Sequence, residues 1–153
     1  MANTYTQIHI HAVFAPKYRQ ACLDKAWRPQ LCKYITGILQ NYGHKMLQIN
    51  GVDDHLHLFF GMRPTQSLSK LMQQIKEDSS KWIKENKFTP YPFNWQEGYG
   101  AFSHSRSQVP IVINYVKNQE QHHATKTFQE EYLEMLTKFE VDFDEAYIFK
   151  PQI

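Results

Sequence analysis

Long apolar runs and cysteines are both scarce in this 153-residue sequence, and each shortage excludes a class of protein. No apolar stretch approaches the roughly 18 residues that span a membrane, which excludes an integral membrane protein. The first residues lack the basic segment and apolar core of a secretory signal, so we expect a cytoplasmic protein. The two cysteines, Cys22 and Cys32, lie ten residues apart without a C-x-x-C partner. This spacing argues against a disulfide framework or a zinc knot and predicts reduced thiols.

The sequence also lacks internal repeats and linkers, so we expect one domain over residues 1–153. Its net charge of +2 hides an uneven distribution. Residues 1–119 carry fourteen Lys and Arg against seven Asp and Glu, whereas residues 120–153 carry three against eight. The first part can therefore attract a polyanion such as nucleic acid. The second part predicts a solvated acidic tail from about residue 124.

Hydrophobic periodicity predicts the order β-α-β-β-α-β followed by two helices. The predicted elements are strands 4–14, 44–52, 54–62 and 95–103 and helices 25–42, 67–86, 107–123 and 127–140. Asp24 is the expected N-cap of the first helix, Gly43 its stop, and Ser107 the expected cap of the third. This order is typical of an α+β, ferredoxin-like (RRM-like) antiparallel sheet with helices on one face, here with an additional C-terminal helix that bears Tyr115.

The strongest local motif is Asp54-His55-Leu56-His57-Leu58 on the third predicted strand. Because side chains alternate across a strand, His55 and His57 point to the same side. Two imidazoles on one face can hold a divalent cation, and a neighbouring aspartate can orient their second nitrogens. The alternative is a pair of half-exposed histidines on a sheet surface.

A second alternating pair, His9 and His11, lies on the first predicted strand. It has no carboxylate beside it, so we favour packing over metal binding for these two side chains. The first and third strands are neighbours in the predicted sheet, and we therefore expect this pair to lie close to His55 and His57.

Tyr115 and Gln119 are four residues apart on the third predicted helix and so share one of its faces. A phenol and an amide on one face could be a nucleophile beside a metal-ligand oxygen. The alternative is packing, which is the usual role of a tyrosine on an amphipathic helix.

Basic and aromatic residues are interleaved at several strand–helix junctions and along the second helix. Cations follow phosphates and aromatic rings stack on unpaired bases, so this pattern favours single-stranded nucleic acid over a duplex. A solvated lysine face is the alternative for the second helix. The candidate DNA-binding residues are Lys17, Tyr18, Arg19, Arg63, Lys70, Lys76 and Arg106.

Taken together, these residues resemble the single-tyrosine HUH transposases of the insertion-sequence 200/605 type, where HUH means His-hydrophobic-His. The resemblance covers nearly the whole chain, and Pro110 within the tyrosine helix is its unusual feature. It rests on the segments Lys17–Arg19, Asp54–Leu58, Gly98–Ser103 and Tyr115–Gln119, on the nearby His122-His123 and on the acidic tail.

The resemblance implies an enzyme that cuts and rejoins single-stranded DNA at insertion-sequence ends. It implies that His55, His57 and Gln119 bind one divalent cation and that Tyr115 is the nucleophile, which forms a 5′-phosphotyrosine. It also implies a homodimer that recognises subterminal DNA hairpins. Imidazole ligands suit Mn²⁺ and a phosphate substrate suits Mg²⁺, so we expect one of these two ions.

Three other functions remain open at this point. A domesticated relative would process repeated chromosomal hairpins without moving an element. A non-catalytic single-stranded nucleic-acid-binding module would share the sheet, although no strand carries the RRM signature. A metal-dependent hydrolase would act through water, with Tyr115 serving only in packing.

Overall fold

The protein's structure, a computed structural model, describes residues 4–17 and 22–144. Within these residues, four strands and five α-helices follow the predicted order β-α-β-β-α-β, with three helices after the last strand where two are predicted. They are β1 (His9–Phe14), α1 (Arg28–Asn41), β2 (Lys45–Val52), β3 (His55–Gly61), α2 (Leu68–Glu85), β4 (Gly100–His104), α3 (Val109–Lys117), α4 (Gln119–His122) and α5 (Phe128–Lys138). None of the helices in these two ranges is long and apolar enough to cross a membrane.

The four strands form one antiparallel sheet in the order β2-β3-β1-β4. The predicted α+β class is therefore confirmed. In the register of the sheet, Val13 of β1 lies opposite His57 of β3 on one side and Gly100 of β4 on the other. At the end of the sheet, His9 lies opposite both Gly61 and His104. The central strands β1 and β3 thus carry both histidine pairs side by side.

One face of the sheet packs on α1 and α2 and forms the larger core. The alternating residues Phe14, Leu56 and Leu58 bury against Leu31 of α1 and Ile75 of α2. These side chains are almost completely removed from water, and each buried aliphatic chain stabilises the fold by about 1.5–3 kcal/mol. This face matches the predicted position of the first two helices.

The opposite face is covered too, by α3 and α5. Phe59 packs against Val112 and Val116 of α3, and Phe102 packs against Phe128 and Leu136 of α5. The predicted sheet with one helical face and an additional tyrosine helix is thus a sheet between two helical layers. The histidines of β1 and β3 point into this second layer rather than onto an open surface.

The helix ends agree with the predictions at some positions and differ at others. Ser67 caps α2 by accepting a hydrogen bond from the backbone N–H of Lys70, and Gly43 adopts a φ of +91° just after α1. The prediction that Asp24 caps α1 is wrong. Its carboxylate accepts from the backbone N–H of Ala26 and its carbonyl from that of Trp27, which forms a turn before α1 begins at Arg28.

The predicted third helix, 107–123, is broken into two. Its expected cap, Ser107, lies in a short 3₁₀ turn, and α3 begins at Val109. The helix ends at Lys117, because Asn118 leaves the helical conformation with φ −101° and ψ 30°, and α4 begins at Gln119. Tyr115 and Gln119 therefore lie on either side of a break.

The expectation of a solvated acidic tail from about residue 124 is wrong for the segment that forms α5. This helix, predicted over 127–140, begins with Thr127 as its N-cap. The Thr127 hydroxyl accepts a hydrogen bond from the backbone N–H of Glu130 and donates one to the Glu130 carboxylate. Its buried side is formed by Phe128, Met135 and Leu136 together with one acid, Glu131. The apolar stripe docks the helix on the sheet, so only its outer face is solvated.

Candidate active site

Two histidines of β3 form the base of the site. His55 and His57 are fully buried on the face covered by α3 and α5. Nδ1 of His55 lies 2.7 Å from Oδ1 of Asp54, as expected for an aspartate that orients an imidazole. Nδ1 of His57 instead lies 2.7 Å from Nε2 of His11. Both rings are therefore fixed through Nδ1 and direct Nε2 towards the helices.

Four side chains converge where these Nε2 atoms point. His55, His57, His123 and Glu131 each offer one donor atom, and these atoms all lie within 4.8 Å of one another. His123 follows α4, and Glu131 lies on α5. Neither residue is among the ligands implied by the resemblance.

Gln119, the third of those implied ligands, is also buried in this cluster. Its Oε1 lies 3.3 Å from Nε2 of His55. Its Nε2 donates to the backbone carbonyl of Tyr115 at 3.2 Å, so the amide spans the break between α3 and α4. The structure thus brings all three implied ligands together.

Tyr115 points from α3 into the same cluster. Its hydroxyl donates a short hydrogen bond to Oε2 of Glu131. Its ring meets the His57 ring edge-on, with centroids 5.8 Å apart. A phenol, two strand histidines and a carboxylate therefore share one buried centre.

The charges of this centre are coupled. Burial disfavours the Glu131 carboxylate, but hydrogen bonds from His123, His55 and His57 outweigh burial and hold the pKa of Glu131 far below its usual value. Burial lowers the pKa of His57 to about 4. Burial and the negative charge of Glu131 raise the pKa of Tyr115. Glu131 is thus an anion, His57 a neutral imidazole and Tyr115 a protonated phenol.

This set of donors fits a small divalent cation. Neutral imidazole nitrogens together with a carboxylate and an amide oxygen are ligands that Mn²⁺ and other transition ions bind. The oxygens alone also suit Mg²⁺. Ligand atoms at about 2.1 Å from an ion and at right angles lie about 3 Å apart. The Nε2 atoms of His57 and His123 lie 3.0 and 3.1 Å from Oε1 of Glu131.

A cleft of about 410 Å³ opens beside Tyr115 and Glu131, between α3 and α5. Through this cleft a substrate can reach the Tyr115 hydroxyl. Its walls include His11, His104, Gln108, Lys126, Lys138 and Phe139.

The family model described as "Transposase IS200 like" matches residues 4–119. The chain belongs to the IS200-like transposase family. Two curated relatives are the transposases for insertion sequence element IS200 of Salmonella typhimurium strain LT2 and of Salmonella typhi. Each is 26% identical over 125 residues, which cover 78% of this chain and 81% of the relative.

Solved structures share the fold of this IS200-like transposase. One is a candidate transposase from Deinococcus radiodurans R1, with a TM-score of 0.62, 18% identity, and coverage of 78% of this chain and 95% of that one. Another is a REP-associated tyrosine transposase bound to a REP hairpin, with a TM-score of 0.61 and 12% identity. This second comparison covers 94% of this chain and 91% of that one.

Two members of the cluster, His123 and Glu131, lie beyond the family match, which ends at residue 119. One signal in the sequence could have indicated Glu131. It lies three residues after Phe128 and four before Met135, so it is an acid within the apolar stripe of its helix. His123 belongs to the His122-His123 pair that supports the resemblance, but it follows a short helix that periodicity merges with α3, so its place in the cluster is not predicted.

The residues predicted to bind DNA are distributed over the transposase. Arg63 and Arg106 are exposed, and each lies two residues after a strand that ends opposite His9. Lys70 is exposed in the first turn of α2. Lys76 differs, because its ammonium donates to the carbonyls of Gln96 and Gly98. Lys17 lies just after β1, and its backbone N–H donates a hydrogen bond to the backbone carbonyl of Asn94. Tyr18 and Arg19 lie outside the described residues.

Proposed function

We propose that this IS200-like transposase cleaves and rejoins single-stranded DNA at insertion-sequence ends through a 5′-phosphotyrosine on Tyr115. His55, His57 and Gln119 would hold the divalent cation, Mg²⁺ or Mn²⁺. One observation supports this proposal above all others. The Tyr115 hydroxyl and the imidazoles of His55 and His57 meet at the same buried carboxylate, Glu131.

The reaction requires one bond to form and one to break at a single phosphorus atom. The Tyr115 hydroxyl gives up its proton as its oxygen attacks the phosphorus in line, the bond from phosphorus to the 3′ oxygen breaks, and the 3′ oxygen takes up a proton to leave as a hydroxyl, so no net proton is consumed. The phosphoester is conserved in the bond to tyrosine, so the 3′-hydroxyl of another strand can reverse the step without ATP. His55, His57 and Gln119 would hold a divalent cation, which when bound would supply positive charge to offset the charge that develops on the phosphate oxygens.

The proposed DNA partner is a single strand that carries a subterminal hairpin. A structural neighbour with coverage of 94% of this chain is a transposase bound to a REP hairpin, which favours the hairpin as the recognised form. The same neighbour favours one second candidate, namely a domesticated relative that processes repeated chromosomal hairpins. Both candidates use the same chemistry. The free thiols Cys22 and Cys32 agree with the cytoplasm as the compartment.

We extend the proposal to a homodimer, as the resemblance implies. The break at Asn118 supports a tyrosine helix that can be repositioned relative to the residues that follow it. Ile111 on the outer side of α3 is 62% exposed, which gives this helix an apolar side chain to offer a second subunit.

A labelled single strand tests the proposed chemistry. A hairpin with a single-stranded flank is incubated with the protein and Mn²⁺ and then run on a denaturing gel. A label at the 3′ end should move with the protein, because the tyrosine keeps the 5′ phosphate of that fragment. A label at the 5′ end should appear on a free fragment that a polymerase can extend from its 3′-hydroxyl.

Two variants identify the nucleophile. Tyr115→Phe should abolish the adduct, whereas Tyr132→Phe, on α5 beside the centre, should retain it. Cleavage without any adduct in the wild type, retained by Tyr115→Phe, would support a hydrolase that uses water. Binding without cleavage under all these conditions would support a nucleic-acid-binding module.

A further inference from the structure

Glu131 accepts more polar contacts than any other side chain of the candidate active site. Its Oε1 lies 3.0 Å from Nε2 of His57, 3.1 Å from Nε2 of His123 and 3.4 Å from Nε2 of His55. Its Oε2 accepts the Tyr115 hydroxyl and lies 3.4 Å from the amide nitrogen of Gln119. The two oxygens thus face different partners: one faces the imidazoles and the other faces the phenol and the amide.

Burial of the Glu131 carboxylate lowers the stability of the fold, and α5 needs only its apolar stripe to pack on the sheet. Glu131 is 3% exposed, whereas its neighbours Glu130 and Glu134 on the same helix are exposed. A carboxylate removed from water destabilises a fold unless its charge is compensated. Its position is therefore better explained by the polar centre it serves than by the packing of α5.

The nitrogens that face Oε1 are arranged for a cation. Asp54 lies 2.7 Å from Nδ1 of His55 and fixes the ring so that its Nε2 faces Oε1 of Glu131. Nε2 of His57 and Nε2 of His123 face the same oxygen, so three imidazole nitrogens surround one carboxylate oxygen, an arrangement that one shared cation can hold together. The spacing of about 3 Å is that of ligand atoms on one small ion.

We propose that Glu131 couples the nucleophile to the metal centre: Oε1 is a carboxylate ligand of the divalent cation, and Oε2 positions the Tyr115 hydroxyl beside it. Glu131 is thus a positioning residue for Tyr115 and, with His123, extends the ligand set beyond His55, His57 and Gln119. The inference rests on the proposed function of Tyr115. It adds to the active site a helix that lies outside the family match.

The ligand role is tested on the full-length protein without DNA. Calorimetry with Mn²⁺ compares the wild type with Glu131→Gln, which keeps the size of the side chain and removes its charge. Glu130→Gln is the matched control, since Glu130 is exposed on the same helix and does not line the cleft. We expect Glu131→Gln to weaken Mn²⁺ binding at least tenfold, while the control binds as the wild type does. Equal affinity in all three proteins would overturn the ligand role.

The positioning role is tested by placing 3-fluorotyrosine at position 115 and recording its ¹⁹F resonance. We expect Glu131→Gln to shift this resonance, Glu130→Gln to leave it in place, and Mn²⁺ to broaden it strongly in the wild type. An unshifted resonance in Glu131→Gln would overturn the positioning role. Should Glu131→Gln fail to fold, Glu131→Asp retains the charge with a shorter reach and should show the same shift and a smaller loss of affinity.

These readouts separate the inference from the proposed function. Weakened Mn²⁺ binding and a shifted resonance in Glu131→Gln, without a covalent adduct in the wild type, would support the inference and contradict the function. A covalent adduct in the wild type, together with unchanged binding and resonance in Glu131→Gln, would support the function and overturn the inference.

Discussion

Nε2 of His11 lies 2.7 Å from Nδ1 of His57, and the two rings stack with centroids 4.9 Å apart. The contact joins the two alternating histidine pairs of the sequence across neighbouring strands. His11 therefore holds the ring of His57 in the orientation that directs Nε2 towards His123 and Glu131. A residue that orients a metal ligand in this way typically contributes a factor of about 10–100 to metal affinity.

We predict that His11→Phe weakens Mn²⁺ binding by about 10–100-fold, because phenylalanine keeps the stacking and loses the hydrogen bond to His57. The matched control is His9→Phe. His9 points to the same face of β1, and its buried Nδ1 has no hydrogen-bond partner within residues 4–17 and 22–144. This control should retain metal affinity. Calorimetry decides the matter, and equal losses in both variants, or in neither, would contradict the assigned role of His11.

The histidine base of the site could be predicted from the sequence because it depends on local geometry. Alternation along a strand places His55 and His57 on one face wherever the strand lies in the fold. Asp54 is adjacent in the chain, so its contact with Nδ1 of His55 is also local. The expected proximity of His11 followed from the order of the strands and is confirmed.

The helical side of the site could not be predicted because it depends on how layers pack. Periodicity predicts α5 and its apolar stripe but does not tell which face of the sheet the stripe covers. Glu131 meets His57 only because α5 lies on the histidine face. His123 enters the cluster through the break at Asn118, which no proline or glycine marks.

Gly100 of β4 leaves room for a ring of α5, and we predict that Gly100→Ala weakens metal binding. A Cβ at this position would lie 2.7 Å from Cε1 and 2.8 Å from the hydroxyl of Tyr132. The Tyr132 ring must shift to admit the added methyl, and we expect α5, which carries both Tyr132 and Glu131, to shift with it. Overpacking of this kind typically costs about 1–3 kcal/mol of stability.

Gly61→Ala on β3 is the control for Gly100→Ala, because its Cβ would meet no atom within 4 Å. Urea unfolding and Mn²⁺ calorimetry should both distinguish the two variants. A second change, Tyr132→Leu, should restore part of the loss in Gly100→Ala by removing the clashing ring atoms. Independent, additive effects of the two changes would contradict this explanation.

Lys76 predicts a pH dependence of stability. Burial lowers the pKa of its ammonium from 10.5 to about 8. Between these two values the unfolded chain therefore binds more protons than the folded chain, and stability rises with pH. The unfolding free energy of the wild type, minus that of Lys76→Met, should increase from about pH 8 to about pH 10.5.

Urea titrations at several pH values measure this difference in unfolding free energy. The control is Lys70→Met, an exposed position for which the difference from the wild type should not change with pH. A difference that falls with pH would contradict the prediction and show that the hydrogen bonds to the carbonyls of Gln96 and Gly98, which favour the ammonium, outweigh its burial.

Arg63 and Arg106 are the predicted DNA contacts with the clearest shared position. Each follows a strand that ends opposite His9, so both lie at the same end of the sheet, and both are exposed. A cation that contacts a phosphate releases counterions, so its removal lowers the salt dependence of binding without selecting among sequences. We predict that Arg63→Ala and Arg106→Ala each reduce the log–log salt slope for a flanked DNA hairpin by about 1, and that the double variant reduces it by about 2. Fluorescence anisotropy over a salt series gives the slope.

Lys81→Ala is the control, because Lys81 lies on the outer side of α2 within 3.9 Å of Glu85. If the control lowers the slope as much as the arginine variants do, the DNA contacts the lysines of α2, and the end of the sheet is not the DNA-binding surface.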